Sequence, residues 1–183
     1  AAHVALGARM VPFGGWDMPV EYSGITAEHL AVRTAAGLFD VSHMGQIELA
    51  GPNALAAIQH ITSNDASKLQ NGQAQYSALP MPTGCPVDDV IVYRRSERRY
   101  LVVVNAANVE KDWNWLLAQK PSGCGLHDLS EQFALLALQG PKAQAILQAL
   151  TPIDLSQVAF YRFAEGKVNG VAAIVARTGY TGE

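Results

Sequence analysis

Two apolar runs separated by a short charged turn constrain the fold of this chain most strongly. Val90-Ile91-Val92-Tyr93 is followed within a few residues by Leu101-Val102-Val103-Val104. Runs of this length, rich in β-branched residues, predict paired strands with the turn at Ser96-Glu97. Successive side chains of a strand point to opposite faces, and both faces are apolar here. The sequence therefore predicts a β-hairpin within a sheet that is covered on both sides.

The segments around this hairpin give the order of the elements. "MGQIELAG", "QAQYSALPM" and "GLHDLS" predict strands, whereas "GPNALAAIQHI" and "NVEKDWNWLLAQ" predict helices. From Met44 to Ser130 the order is therefore βαβββαβ, an α+β pattern of mostly antiparallel sheets with flanking helices. Neither the regular βαβα alternation nor the GxGxxG motif of a dinucleotide-binding fold occurs. "LAGPNALAAI" and "LQGPKAQAIL" repeat a strand, a Gly-Pro corner and a helix, as a common corner or as a distant internal duplication.

Three further local predictions concern the flanking segments. "SGITAEHLAVRTAAGLF" predicts a helix that Thr26 caps and Gly37 ends. "VPFGGWDMPVEY" predicts an apolar loop, which either anchors in the core or lines a ligand site. "VAFYRFAEGKVNGVAAIVAR" predicts strands with turns at Glu165-Gly166 and Asn169-Gly170.

The composition of the 183 residues argues against several classes of function. The net charge is −3 and no basic run occurs, which argues against nucleic-acid binding. No apolar run approaches the roughly 18 residues that a membrane-spanning helix needs. Cys85 and Cys124 are too few for a disulfide framework or a zinc site, which indicates a reducing compartment. The five histidines show no metal-ligand spacing such as HExxH, so we expect no metal site.

Two adjacent carboxylates begin the first strand of the hairpin. Alternation places Asp89 on the face of Ile91 and Tyr93, and Asp88 on the face of Val90 and Val92. The two acids therefore cannot act together on one substrate, as a glycosidase pair would. Local physics alone favours a strand corner after Pro86. The alternative is that one of the acids projects into a pocket as a base or to hold a developing cation.

Two other polar groups invite functional readings. "FDVSHMG" places Asp40, Ser42 and His43 close together, but triad members meet through the fold and no GxSxG elbow occurs, so core hydrogen bonding is favoured. Asn105 ends the second strand of the hairpin ahead of a helix. It is predicted either to cap that helix or to face a ligand.

Taken together, several stretches resemble one family. They are "GARMVPFGGWDMPVEY", "EHLAVRTAAGLFDVSHMGQIELAGPNA", "VDDVIVYRR", "YLVVVNAANVEKDWNWL", "ALQGPKAQ" and "ARTGYTGE". In this order, from Gly7 to Glu183, the chain resembles the aminomethyltransferase of the glycine cleavage system, the T-protein. The resemblance implies three lobes around a folate channel. Residues 42–130 would form the second lobe, of ferredoxin-like type, and residues 1–41 with 131–183 most of the first. The chain would be an N-terminal fragment without the C-terminal barrel lobe.

The resemblance also implies an activity. The family transfers the methylene of an aminomethyl group, carried on the dihydrolipoyl arm of lipoylated H-protein, to tetrahydrofolate, with release of ammonia and no metal. By motif, Asp89 matches the catalytic aspartate. Positions that line the folate site are matched by Met44, Tyr76, Val103, Asn105, Tyr161 and, more weakly, Tyr180. Partners would be H-protein and, transiently, the other glycine cleavage components, with no nucleic acid or membrane. The compartment would be the bacterial cytoplasm, or the mitochondrial matrix in a eukaryote.

The chain departs from the family pattern ahead of the acidic pair. Cys85 stands where the family has a glycine that allows a positive φ, and Pro86 removes a backbone donor. Phe160 stands where a tyrosine is often seen. The departures at Cys85 and Pro86 lie just ahead of Asp89, so they concern the local geometry of the residue that matches the catalytic aspartate.

Rival readings share the fold. They are folate-dependent demethylases, the folate lobes of dimethylglycine and sarcosine oxidases, and a folate-binding paralogue that assists iron–sulfur protein maturation without catalysis. The uninterrupted motifs favour an aminomethyltransferase, and the Cys-containing "KGCY-x-GQ" motif of the paralogue does not occur. A further possibility is that this fragment alone is inactive.

Overall fold

The computed structural model describes residues 1–179. Its strands are β1 (Arg9–Phe13), β2 (Trp16–Glu21), β3 (Gly37–Asp40), β4 (Gly45–Ala50), β5 (Gln73–Pro80), β6 (Pro86–Ser96), β7 (Arg99–Val104), β8 (Gly125–Asp128), β9 (Leu136–Gln139), β10 (Phe163–Val168) and β11 (Val171–Ala176). Its α-helices are α1 (Ala2–Ala5), α2 (Ile25–Thr34), α3 (Ala54–Ile61), α4 (Val109–Gln119) and α5 (Ala143–Gln148). None of these helices is long and apolar enough to cross a bilayer.

A five-stranded antiparallel sheet forms the centre of the molecule. Its strand order is β5-β6-β7-β4-β8, and α3 and α4 complete the predicted βαβββαβ sequence of elements. The predicted hairpin is β6–β7, in which Ile91 pairs with Val103 and Val92 with Val102. The α+β fold class with antiparallel sheets is therefore confirmed.

One face of this sheet packs against α3 and α4. Strand side chains such as Ile47, Val92 and Val102 are almost fully buried there with Ile58 and Leu116 from the two helices. Every second strand residue joins this core, which is the period that a half-buried strand requires. Among residues 1–179 this cluster buries more side chains than the second core cluster around Tyr93 and Phe163, and burial of apolar surface stabilises the fold in proportion to its area.

The other face of the sheet is covered in part by the β10–β11 hairpin. Phe163 packs edge-on against Tyr93, with 5.4 Å between the ring centroids. Arg95 donates two hydrogen bonds to Glu165, at 2.7 and 2.9 Å, and also contacts the buried Glu48 of β4. The predicted cover on both sides is confirmed at this end of β6. The end that carries Asp89 remains exposed.

The glycines of the two Gly-Pro corners both have a positive φ. Gly51 has φ +127° and Gly140 has φ +109°, values that L side chains rarely adopt. A Cβ on Gly51 would lie 2.5 Å from the carbonyl oxygen of Gly123, and one on Gly140 would lie 2.5 Å from that of Val32. Each corner therefore presses its glycine against the backbone of a neighbouring segment.

Gly140→Ala in the full-length gene product is expected to destabilise the fold by about 3 kcal/mol, since it combines backbone strain with a clash against rigid backbone. The matched control is Gly170→Ala at φ +83°, where a Cβ meets nothing within 4 Å. There only the strain remains, about 1 kcal/mol. Urea denaturation midpoints compare the two. Equal losses would show that the close approach at Gly140 relaxes freely.

Three local predictions are corrected. Helix α2 begins at Ile25 after Gly24, and no side chain caps it. Instead Glu28 reaches back and accepts hydrogen bonds from the backbone N–H groups of residues 22–24, and the helix ends at Thr34. The apolar "VPFGGWDMPVEY" loop is mostly the hairpin β1–β2, turning at Gly14-Gly15. Strand β10 runs through Gly166, so that only the Asn169-Gly170 turn is confirmed.

Candidate functional site

The two adjacent acids lie on opposite faces of β6. Asp89 pairs with Ala78 of β5 and is exposed on the face of Ile91, whereas Asp88 pairs with Leu79 and is partly buried on the helix face with Val90. The prediction that they point apart is confirmed. The carboxylate of Asp89 is therefore the one that can meet a ligand on the open part of the sheet.

Asn105 connects the two acids from the end of β7. Its Nδ2 donates to Asp88 Oδ1 at 3.1 Å, to the backbone carbonyl of Asp89 at 3.1 Å and to Asp89 Oδ1 at 3.4 Å. Its side chain does not cap the short 3₁₀ turn that follows, although Asn105 stands at the capping position. The capping interpretation is therefore wrong, and the amide instead fixes the end of β6.

Tyr76 lies beside Asp89 on the exposed face. It pairs with Ile91, so both side chains share that face, and 52% of Tyr76 is exposed. A hydrogen bond to Asp89 raises the pKa of the Tyr76 phenol, because a phenolate next to a carboxylate is disfavoured. The charges of Tyr161 and Asp88 act in the same direction. In this hydrogen bond the Tyr76 phenol is the donor and the Asp89 carboxyl group is the acceptor.

Tyr161 has an unusual backbone. Its φ is +57°, and besides Asn169 it is the only non-glycine residue with positive φ among residues 1–179. Its N–H donates to the carbonyl of Arg177 at 2.8 Å, and its carbonyl accepts from Ala74 N–H at 2.8 Å. These bonds hold a bulky residue in a strained conformation, which is common at ligand sites. Periodicity in the sequence gives no signal for it.

The remaining predicted site residues are distributed around this face. Val103 is half-buried and packs with Ile91 and Tyr161 against the second core cluster. Met44 is buried just before β4, where its N–H donates to the carbonyl of Val41 at 3.1 Å. The exposed sheet face therefore combines aromatic and aliphatic side chains around one carboxylate. Tyr180 lies outside the described residues.

Sequence reasoning missed the buried acid Asp112 on α4. Its side chain is fully buried. Burial is the main cause that raises the pKa of Asp112 to about 8, and hydrogen bonding with Asp88 is the second cause. Burial acts against Asp88 too, but hydrogen bonds from Asp112, Asn105 and Asn108 hold the pKa of Asp88 below its ordinary value. The signal was present: Asp112 stands three residues after Val109 and four before Leu116, on the apolar stripe of the helix.

The departures ahead of Asp89 lie in the β5–β6 turn and at the first residue of β6. The positive φ of +88° falls on Gly84 and not on Cys85, which is exposed. The carbonyl of Cys85 accepts from Met81 N–H at 2.9 Å and closes the turn. Pro86 faces Pro80 where the β5–β6 pairing ends. The β5–β6 register shifts between Leu79 and Pro80, so an irregularity lies beside Pro86, whereas the pairing is regular at Asp88 and Asp89.

The "FDVSHMG" motif forms no triad. Asp40 accepts a hydrogen bond from Ser42 N–H at 3.0 Å and contacts Nε2 of His3 at 3.1 Å. The hydroxyl of Ser42 accepts from Leu135 N–H at 3.1 Å. Asp40 thus joins the N-terminal segment to β3, and the structural interpretation is favoured.

Curated relatives cover the whole chain. A family model described as the GCVT N-terminal domain matches residues 1–183. The aminomethyltransferase of Flavobacterium psychrophilum is 53% identical to this chain over 181 residues, and that of Acidobacterium capsulatum is 55% identical over 185 residues. These alignments cover 98% and 100% of the chain but only 50% and 49% of the relatives. The chain therefore spans about half the length of the curated relatives it matches.

Solved structures agree with this assignment. The glycine cleavage system aminomethyltransferase T from Bartonella henselae superposes with a TM-score of 0.90 at 36% identity, over 99% of this chain and 49% of that one. The heterotetrameric sarcosine oxidase from Corynebacterium sp. U-96 gives a TM-score of 0.55 at 20% identity, over 84% of this chain and 77% of that one, and this likeness concerns the fold alone. With a family model matched along its whole length and relatives of this identity, the chain belongs to the GCVT family of aminomethyltransferases.

Proposed function

We propose that this chain carries the catalytic carboxylate of a tetrahydrofolate-dependent aminomethyltransferase of the glycine cleavage system. The reaction moves the methylene of the H-protein aminomethyl-dihydrolipoyl group to tetrahydrofolate, giving 5,10-methylenetetrahydrofolate and ammonia. The observation that carries the proposal is the exposed carboxylate of Asp89, which accepts hydrogen bonds from Tyr76 and Asn105. Membership of the family supports the reaction class.

Asp89 suits a reaction that passes through a cation. Methylene transfer from an amine proceeds through an iminium ion, whose positive charge an ionised carboxylate stabilises. The same carboxylate can orient the attacking amine and accept its proton. Asp88 cannot take this role, because it lies on the helix side of the sheet.

We propose that the folate contacts come from the residues around this carboxylate. A pterin is flat and partly apolar, and the exposed ring of Tyr76 and the half-buried Val103 and Tyr161 offer surfaces of that kind. Met44 and Asn105 complete the set, with Tyr180 as a further contact. The partners would be lipoylated H-protein and, transiently, the other glycine cleavage components, in the cytoplasm of a bacterium, since the relatives named above come from bacteria.

We also propose the two-lobe division, with residues 42–130 as one unit and 1–41 with 131–183 as part of another. Pairing of β3 with β9 supports it, because Phe39 and Ala137 lie in the two flanking segments. So does the hydrogen bond from Lys142 N–H to the carbonyl of Ala35 at 2.8 Å.

A donor comparison tests the proposed function. The full-length gene product is incubated with tetrahydrofolate and either aminomethylated H-protein or dimethylglycine, and methylenetetrahydrofolate is measured. We expect product and ammonia from the H-protein donor and none from dimethylglycine. Turnover of dimethylglycine alone would favour the demethylase or oxidase reading. Folate binding without any turnover would favour the non-catalytic paralogue.

A further inference from the structure

On the helix side of the sheet, behind Asp89, the carboxyl groups of Asp112 and Asp88 have fewer hydrogen-bond donors than their buried oxygens require. Asp112 is fully buried, and both of its oxygens and Oδ2 of Asp88 have no nitrogen or hydroxyl donor among the described residues. Asp112 on α4 and Asp88 on β6 present these unpartnered oxygens to the same buried space, and hydrogen bonding between the two groups is a cause of the raised pKa of Asp112 and of the lowered pKa of Asp88. Because a hydrogen bond between carboxyl groups requires a proton, one of the two must be protonated.

The surroundings decide which group holds the proton. Asp88 accepts from Nδ2 of Asn105 at 3.1 Å, which favours its ionised form. Asp112 has no other donor, and burying it as an anion would be costly. Asp112 is therefore the acid that donates, and Asp88 is the carboxylate that accepts.

The pair reaches the exposed face through one amide. Nδ2 of Asn105 contacts Asp88 Oδ1 on the helix side and Asp89 Oδ1 on the open side. An anionic Asp88 fixes which end of the Asn105 amide points toward the acids, because an amide oxygen in that place would be repelled. The orientation of the amide in turn determines the donor that Asp89 receives.

We propose that Asp112 is a positioning residue for catalysis, whose acid proton is shared with Asp88 and sets, through Asn105, the orientation of the Asp89 carboxylate. This inference rests on the proposed function of Asp89. It adds a residue on the far side of the sheet that touches no substrate. It also makes the site sensitive to alkaline pH, since loss of this proton would place two carboxylates against each other.

Few charges other than this pair face Asp112. Asp88 and Asp89 from β6 raise its pKa, and Lys111 from α4 itself lowers it while its ammonium donates to the carbonyl of Val87 at 2.6 Å. Of the other ionisable groups on the elements packed against α4, His60 on α3 and His127 and Asp128 on β8 are exposed. The remaining ones on β6 are engaged elsewhere: Arg94 donates to the carbonyl of Leu69, Arg95 donates to Glu48 and Glu165, and Tyr93 packs against Phe163. We therefore expect the alkaline loss of activity to follow deprotonation of Asp112, whose pKa is raised to about 8 by burial and by Asp88.

The test uses kinetic pH profiles of the full-length gene product and three variants. Asp112→Leu removes the donor and is expected to lower kcat by about 10- to 100-fold, with little change in KM, because the carboxylate is misplaced by a fraction of an ångström. Asp112→Asn retains a neutral donor and is expected to restore most of that loss. It should also abolish the fall in kcat near pH 8. Glu110→Gln, an exposed acid on the same helix, is the control.

A second readout does not depend on turnover. The infrared spectrum of the parent minus that of Asp112→Asn is expected to contain the C=O stretch of a protonated carboxyl group at pH 7. Parental kcat and pH profile in both Asp112 variants would overturn the inference while leaving the proposed function intact. Absence of methylene transfer in the parent would instead reject the proposed function, and the absence of the infrared band would reject the shared proton.

Discussion

Asp89→Asn in the full-length gene product is expected to lower kcat for methylene transfer by about 10³-fold, the scale of losing one preorganised electrostatic contact to a developing charge. The amide occupies the same volume and can still meet Tyr76 and Asn105. It cannot carry the negative charge that an iminium ion requires. Because Asp89 is exposed on a packed strand, the fold should survive, and KM for tetrahydrofolate should change much less than kcat. Steady-state kinetics with aminomethylated H-protein measures both.

Two further variants serve as a comparison and a control for Asp89→Asn. Asp88→Asn alters the carboxyl pair behind the sheet, and we expect a smaller loss of about tenfold, in line with a displaced rather than a missing catalytic group. Glu97→Gln, at the exposed far end of the same hairpin, should have no effect. Full activity in Asp89→Asn would contradict the catalytic role, and an equal loss in Asp88→Asn would contradict the division of roles between the two acids.

The sequence predicted this division because strand alternation is a strong local rule. An apolar run from Val90 to Tyr93 fixes the period, and the faces of Asp88 and Asp89 follow from it without any tertiary information. The order of elements in the central sheet was predictable for the same reason. Alternation could not tell which face remains open, since that depends on where the β10–β11 hairpin packs.

Features that depend on contacts distant in sequence could not be predicted in this way. Asp112 stands on an apolar helix stripe, but its partner Asp88 lies on β6, 24 positions earlier in the chain. The positive φ of Tyr161 is imposed by hydrogen bonds to Ala74 and Arg177, which belong to other segments. The failed cap at Thr26 has a different cause, because Thr26 lies inside the helix. Glu28 accepts from the N–H groups of Ser23 and Gly24 just before the helix, and Glu21 accepts from the N–H of Ile25 at its first residue.

The buried acid also predicts how stability depends on pH. The pKa of Asp112 is about 8 in the folded protein against an ordinary value of 3.8, so between these values the folded state holds a proton that the unfolded chain has lost. The stability that this proton contributes is complete below about pH 4 and is lost as the pH rises toward 8, by about 1.4 kcal/mol per pH unit. Asp88, whose pKa is lowered, contributes its stability in full above its ordinary value and loses it only as the pH falls below that value, so it adds no slope in this window.

Asp112→Asn removes this slope, since asparagine does not titrate. Between pH 5.5 and 7.5 the difference in unfolding free energy between variant and parent should shift by about 3 kcal/mol in favour of the variant, two units at the slope above. Urea denaturation at several pH values measures this difference, in which all other titrating groups cancel. Glu110→Gln should run parallel to the parent, because its carboxylate is exposed. Parallel curves for Asp112→Asn would mean that Asp112 is ionised in the folded protein, with a donor other than the shared proton.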